Sequence, residues 1–188
     1  MLPAIISDTS NMKQTNMKFI ALLFFPILSF GQIKLDKTIS LLDNKVEILA
    51  PKELSKMSDE IWTYKYHDLP RPELVLTDEN AEINLLVDLT KQPAAESQIA
   101  AYKDFRISNL KKTRTDIKIL SDGIKTVNGK SIGFIKFSSQ ASDQNIFNFY
   151  FFTVVNGKIL LFNFNCIEKL QKTWEKAADE ILNSLKIK

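Results

Sequence analysis

The chain has 188 residues, 45% of them hydrophobic and 25% charged, the balance of a globular protein of about one domain and not of a disordered chain. Its formal charge of +3 comes from 25 basic and 22 acidic residues, too weak and too mixed to mark a nucleic-acid binder. A single cysteine, Cys166, excludes an intramolecular disulfide, and its place in a strongly apolar run predicts a buried structural thiol.

At the N-terminus, Lys13 and Lys18 stand before or at the start of an apolar run over residues 19–28. Ser29 and Gly31 then place small residues at −3 and −1 of a cut before Gln32. Basic, apolar and small-x-small, in that order, is the secretory pattern. A membrane span needs about 20 apolar residues, and this shorter run contains Pro26, so cleavage is favoured over anchoring. No cysteine follows the run to take a lipid. Met12 or Met17 makes a better start than Met1. The expectation is an N-terminal extension and signal peptide over residues 1–31. Residues 32–188 then form one exported domain, periplasmic or secreted, with no transmembrane span after cleavage.

In the mature chain, residues 39–42 and 46–49 read as strands around an Asp43-Asn44 turn, the second stopping at Pro51. Residues 52–66 read as helical or irregular, with Ser58 as a cap, until Pro70 and Pro72 break the segment. Residues 74–77 and 83–89 are short strands around the acidic turn Asp78-Glu79-Asn80. A helix is predicted over 94–112, with Ile99, Tyr102, Ile107 and Leu110 on one face and Phe105 at its edge. Four strands follow, at 117–124, 130–139, 145–155 and 158–166. The last helix, about 168–185, carries Leu170, Trp174, Ala177, Ala178, Ile181 and Leu185 as a stripe made to lie on a sheet.

Asn128-Gly129 and Asn156-Gly157 both sit between β-rich flanks, and both residues of each pair tolerate the positive φ of a type I′ turn. The second turn pairs Val155 with Lys158 and so fixes the register. Phe151 then faces Phe162, Phe149 faces Phe164, and Phe147 faces Cys166, an apolar side that belongs under the last helix. The other side pairs Phe152 with Leu161, Tyr150 with Asn163, and Asn148 with Asn165. It is apolar near the turn and polar toward the far end, so this face is partly covered or binds something. Its apolar part (Phe152, Val154, Ile159 and Leu161) is too large to leave in water. The favoured cover is the segment around Trp62 and Tyr66, which would make the Pro70–Pro72 loop the better contact; a partner is the alternative.

Candidate chemistry is sparse. His67, the one histidine, lies in a Pro-rich loop beside Asp68 and Arg71 and reads as a loop residue. Asp78, Glu79 and Glu82 lack the ligand spacing of a calcium loop. No Gly-x-Ser-x-Gly elbow and no glycine-rich phosphate loop is present. No catalytic residue, metal ligand or cofactor is therefore assigned. The possible partner or ligand contacts are Trp62, Tyr64, Tyr66 and Arg71 in the aromatic–proline segment, with Phe152 and Leu161 on the outward side of the hairpin.

The order of elements resembles the PsbP-like superfamily. A strand ends at Ala50-Pro51, and an aromatic, Pro-containing segment runs from Trp62 to Pro72. Two strands, a helix and a run of antiparallel strands with an Asn-Gly-Lys hairpin come next. A helix near Ser184-Leu185-Lys186 closes the chain. That superfamily holds the extrinsic photosystem subunit, a Ran-binding nuclear import factor and exported bacterial proteins of the DcrB type. The resemblance implies an α+β fold: an antiparallel sheet of about six strands with helices on both faces. It implies binding or assembly roles and, in most members, no known catalysis, and it carries over no functional residue. Three functions stand in order: an exported, non-enzymatic protein binding an envelope partner; a carrier of a small apolar ligand or lipid between sheet and helix; and a hydrolase with a dispersed site.

Overall fold

The computed structural model describes residues 33–67 and 69–188; the signal-peptide expectation over residues 1–31 lies outside them. Strands β1 (Leu35–Leu41) and β2 (Val46–Pro51) pair antiparallel through a turn in which Leu42, Asp43 and Asn44 all take positive φ. The C-terminal β10 (Lys186–Ile187) adds to the free edge of β2, completing a three-stranded sheet.

The main sheet holds seven antiparallel strands: β3 (Ser55–Lys56), β4 (Leu74–Thr77), β5 (Ile83–Pro93), β6 (Lys118–Val127), β7 (Lys130–Gln140), β8 (Asn145–Val155) and β9 (Lys158–Ile167). Their order is β3-β4-β5-β9-β8-β7-β6. The helices are α1 (Asp59–Tyr66), α2 (Ile99–Thr113) and α3 (Glu168–Asn183). The α+β class and the helices on both faces agree with what the family resemblance implied. The main sheet exceeds the expected six strands by one, β3, whose two residues are too few to show a period, and β1, β2 and β10 form a second sheet that was not expected.

Both Asn-Gly turns carry positive φ at both positions, and the β8–β9 register runs from Val155↔Lys158 to Phe147↔Cys166 as the turn dictates. On one face Phe147, Phe149, Phe151, Phe162 and Phe164 are at most 1% exposed, and α3 covers them with Trp174, Ala177, Ala178 and Ile181. Burying each such ring contributes about 1.5–3 kcal/mol. Phe151 and Phe162 stack with centroids 4.6 Å apart and planes 6° from parallel. Lys136 Nζ on β7 donates to Glu175 Oε1 at 2.9 Å and Asp179 Oδ2 at 2.8 Å, tying α3 to the sheet beyond the phenylalanines.

The opposite face carries α1 and α2. Helix α2 begins five residues later than predicted, after a 3₁₀ turn over Glu96–Gln98. The delay has a cause in β5, which stays bonded to the β8–β9 hairpin: Thr90 Oγ1 donates to the Ile159 carbonyl at 3.0 Å, and Ala94 N to the Gly157 carbonyl at 2.9 Å. Ile99 and Tyr102 of α2 pack on Phe152, Ile135, Phe137 and Ile159, with the Tyr102 ring edge-on to Phe152 at 4.8 Å. The chain therefore covers its own apolar patch, but with α2 and not with the segment around Trp62. Trp62 packs instead on Met57 and Val75, with Tyr66 and Leu86 beside it.

Candidate binding cleft

Helix α1 lies over β4 and β5, and α2 lies over β6, β7 and the hairpin end of β8 and β9. Between them runs the outer side of β9, the central strand. Its inward residues Phe162, Phe164 and Cys166 have no exposure, whereas Leu161, Asn163 and Asn165 on the outward side are half-buried. The registers of β5 and β8 against β9 set out the floor in three rows. Asp88, Leu161 and Phe152 form the first, Leu86, Asn163 and Tyr150 the second, and Asn84, Asn165 and Asn148 the third.

The third row is a chain of carboxamides and hydroxyls. Thr77 Oγ1 bonds Asn84 Oδ1 at 2.9 Å, and Asn84 Nδ2 donates to Asn165 Oδ1 at 3.0 Å. Asn148 Nδ2 donates to Ser139 Oγ at 3.0 Å. The second row is less satisfied. Asn163 Oδ1 is buried with no hydrogen-bond partner among the described residues, and so is Arg106 Nε. The Arg106 guanidinium, on α2, lies over the Tyr150 ring at 5.5 Å. Burial raises the Tyr150 hydroxyl above its ordinary pKa, and the Arg106 charge and its hydrogen bond to that hydroxyl work against the rise. In the first row burial raises Asp88, and the neighbouring Glu73 carboxylate adds to the effect.

The α1 side is a rigid rim. Ser58 Oγ accepts from Ile61 N at 3.2 Å as the predicted cap, and Asp59 and Glu60 in the first turn suit the helix dipole. Trp62 donates Nε1–H to the Leu69 carbonyl at 3.3 Å and lies 4.3 Å from the Tyr66 ring. Arg71 stacks over Trp62 at 5.7 Å and bonds the Asp59 carboxylate and the Met57 carbonyl. The outward side of this rim exposes Ile61, Tyr64 and Leu69 at 36%, 84% and 61%.

The contacts named from sequence thus separate. Tyr64 is open to solvent and Arg71 partly so, Trp62 is a packing residue, and Tyr66 is half-buried over Leu86. Leu161 is on the cleft floor, and Phe152 is fully buried beneath Tyr102, which removes it as a contact. Asn163, Asn165, Tyr150 and Arg106 were not named. The signal for the first three was the polar far end of the β8–β9 hairpin; Arg106 gave none, because helix periodicity does not say which strand lies beneath it.

Elsewhere the reactive types are occupied by structure. Cys166 has no exposure, and burial pushes its thiol up to about 12, so it is an inert thiol. His67 closes α1 with φ 51° and donates N–H to the Thr63 carbonyl. Asp78 Oδ1 accepts from Ile83 N at 2.8 Å, closing the acidic turn on itself. Among the described residues no three metal-ligating side chains cluster, and no helix is long and apolar enough to cross a membrane.

No family model matches the chain, and no curated protein matches its sequence. Solved structures match its fold. The chain is similar to the cyanobacterial PsbP (CyanoP) from Synechocystis sp. PCC 6803, at 14% identity and TM-score 0.60, over 81% of this chain and 92% of that one. It is similar to LpqN, involved in cell envelope biogenesis of Mycobacterium tuberculosis, at 14% identity and TM-score 0.55, over 80% and 89%. It is also similar to the Ran-binding protein Mog1p of Saccharomyces cerevisiae, at 11% identity and TM-score 0.53, over 80% and 94%. At such identities the likeness is one of fold. With its central antiparallel sheet, its helices on both faces and these three likenesses, the chain carries the PsbP-like fold that its order of elements implied.

Proposed function

We propose that this chain is an exported, non-catalytic protein that docks an envelope protein on the α1 face. The observation that carries the reading is the rim of α1. A helix of eight residues is too short to stand alone, yet cap, tryptophan and arginine hold it in place while it presents Ile61 and Tyr64 to solvent, with Leu69 exposed just beyond its end. Aromatic and apolar side chains on a preorganised support are the usual centre of a protein contact. The similar folds support the reading, one being Ran-binding and one involved in cell envelope biogenesis. Export rests on the basic, apolar and small-x-small pattern before Gln32.

A photo-crosslinking residue in place of Tyr64 tests the docking. Adducts should form with one envelope protein, be absent when the crosslinker replaces Lys118 on β6, and be lost in a Leu69→Asp variant. Adducts of equal yield from both positions would refute it. The mass of the exported protein tests processing: the chain should begin at Gln32, and retention of residues 19–28 would exclude cleavage.

The apolar-carrier reading has one observation in its favour. A cavity of about 600 Å³ opens between β1, β2 and the end of α3, lined by Ile33, Leu35, Leu49, Asn183 and Ser184. Its lining mixes polar with apolar groups, whereas the space between the main sheet and α3 is filled by the protein's own phenylalanines. Lipid co-purifying in native mass spectrometry would favour this reading over docking.

A further inference from the structure

We propose that the cleft between α1 and α2 takes an extended peptide segment of the docked protein, with its backbone carbonyls on Asn163 and Asn165 and an acidic side chain on Arg106. The inference rests on the reading that the α1 face docks a protein, and it names what that protein presents.

The free bonding capacity of the floor is the first argument. Asn165 gives its Oδ1 to Asn84, and its Nδ2 makes no hydrogen bond among the described residues. The Asn163 carboxamide makes none among the described residues, and its Oδ1 is buried. A buried unpaired carbonyl oxygen costs stability, and no described residue makes use of Asn163 Oδ1. What the two side chains offer a ligand is an amide N–H donor from each, with Asn163 Oδ1 as an acceptor still unpaired, so the ligand must bring carbonyls and an N–H, as a peptide backbone does.

The spacing is the second. Asn163 and Asn165 are two residues apart on one side of a strand, hence roughly 6.6–6.8 Å apart along it. Carbonyls on one edge of an extended chain repeat at the same interval, because alternate residues point the same way. A peptide running along β9 therefore meets both donors at once. A compact anion such as phosphate spans one of them. From Leu161 to Asn165 the floor is about 13 Å long, enough for four or five extended residues.

Charge is the third. Arg106 forms no ion pair with a carboxylate among the described residues, although it overhangs the Tyr150–Asn163 row. Arg114, two turns further along α2, is held by Asp116. Lys65 on the opposite side gives its ammonium to the Ala81 carbonyl. Among the described residues Arg106 is thus a cation beside the cleft whose charge no carboxylate neutralises, although it bonds the neutral Tyr150 hydroxyl, and an incoming acid can pair with it. At the other end Asp88 and Glu73 repel one, which sets the direction in which an acidic peptide lies.

Panning a displayed random heptapeptide library on the purified protein tests the proposal, with the enriched peptides then made with blocked ends. Enriched sequences should carry Asp or Glu, shift the side-chain amide resonances of Asn163 and Asn165 in ¹⁵N spectra, and bind at least tenfold more weakly to Asn163→Ala. Arg106→Gln should keep binding but lose the acidic preference. Absence of enrichment over an unrelated control protein would overturn the proposal. So would peptides that shift only Ile61 and Tyr64 and bind Asn163→Ala normally. Native far-UV and amide spectra of each variant confirm that it folds. The docking reading fails separately, through the crosslinks at Tyr64: those can persist with an empty cleft, and the cleft can bind peptide in a Leu69→Asp protein.

Discussion

Gly133 on β7 lies directly across from Phe152 on β8, and the Phe152 ring occupies the space in which a side chain at Gly133 would stand. A Cβ there would come within 2.3 Å of ring atom Cε2 and 3.0 Å of Ile99 Cγ2. The ring cannot swing away, because Tyr102 packs edge-on against it and Phe152 has no exposure. The glycine is what lets α2 close over the apolar end of the sheet.

Gly133→Ala should therefore destabilise the protein by about 1–3 kcal/mol, the usual effect of overpacking. Gly123→Ala should cost less, since its nearest obstacle is the half-buried Phe134 ring, at 2.9 Å. Urea titrations of the two variants check the order, and equal midpoints would contradict it.

The α3 face gives a second test. Phe149 pairs with Phe164 across the strands and touches the Phe151 and Phe134 rings at centroid distances of 5.4 and 6.3 Å. Phe149→Ala should lower unfolding free energy by about 3–5 kcal/mol through lost burial and a cavity. His67→Ala, at an exposed helix end, should cost well under that. A near-native midpoint for Phe149→Ala would mean that the inner face is packed otherwise.

The β8–β9 hairpin was legible in full because Asn156-Gly157 fixes the turn type and the turn fixes every pair after it. The stripe of α3 was legible because its period and the aromatic side of the hairpin match. What covers the other face was not legible. Ile99 and Tyr102 show an apolar face without saying which strand it meets, and the answer depends on Gly133, a residue with no periodic signal. The cleft was half visible, as the polar end of the hairpin. Its asparagines come together with Asn84 and Arg106 only through the β5–β9 pairing and the placement of α2, and both are long-range. The two-residue β10 depends likewise on Lys186 meeting Glu47, which no local pattern announces.

The Lys136 cluster makes stability depend on pH at both ends. Burial pushes Lys136 down, but bonds to Asp179 and Glu175 outweigh it, so its pKa rises above 10.5. Burial pushes Glu175 up, but bonds from Gln171 and Lys136 outweigh that, so its pKa falls below 4.5. A lowered carboxylate stabilises the fold above its unfolded pKa and loses that effect as pH falls through the folded value. A raised amine stabilises below 10.5 and loses the effect as pH climbs beyond it. Lys136→Met should lower stability at pH 7 by about 1–2 kcal/mol, discounted because Glu175 and Asp179 remain partly hydrated. It should also flatten the decline of stability below pH 4.5. An unchanged acid limb, measured by urea midpoints at stepped pH, would show that the pair does not couple to folding.

The rim of α1 offers a test that joins stability to binding. Ser58 Oγ satisfies Ile61 N–H, and Arg71 bridges the Met57 carbonyl, the Asp59 carboxylate and the Trp62 ring. Ser58→Ala should cost about 1 kcal/mol, the usual worth of a cap. That cost falls on a short helix bearing on the sheet chiefly through Trp62 and Tyr66, so it should appear as local opening and not as global unfolding. Amide exchange within α1 should rise about fivefold, the equivalent of 1 kcal/mol, with the amides of β8 and β9 unchanged. Arg71→Ala should act in the same direction, mostly through its stacking on Trp62, since an exposed ion pair such as that with Asp59 contributes little. Both variants should weaken the crosslink at Tyr64 while leaving the midpoint of global unfolding nearly in place. Faster exchange throughout the sheet would show that α1 is part of the cooperative core, in which case the rim could not be loosened without the fold.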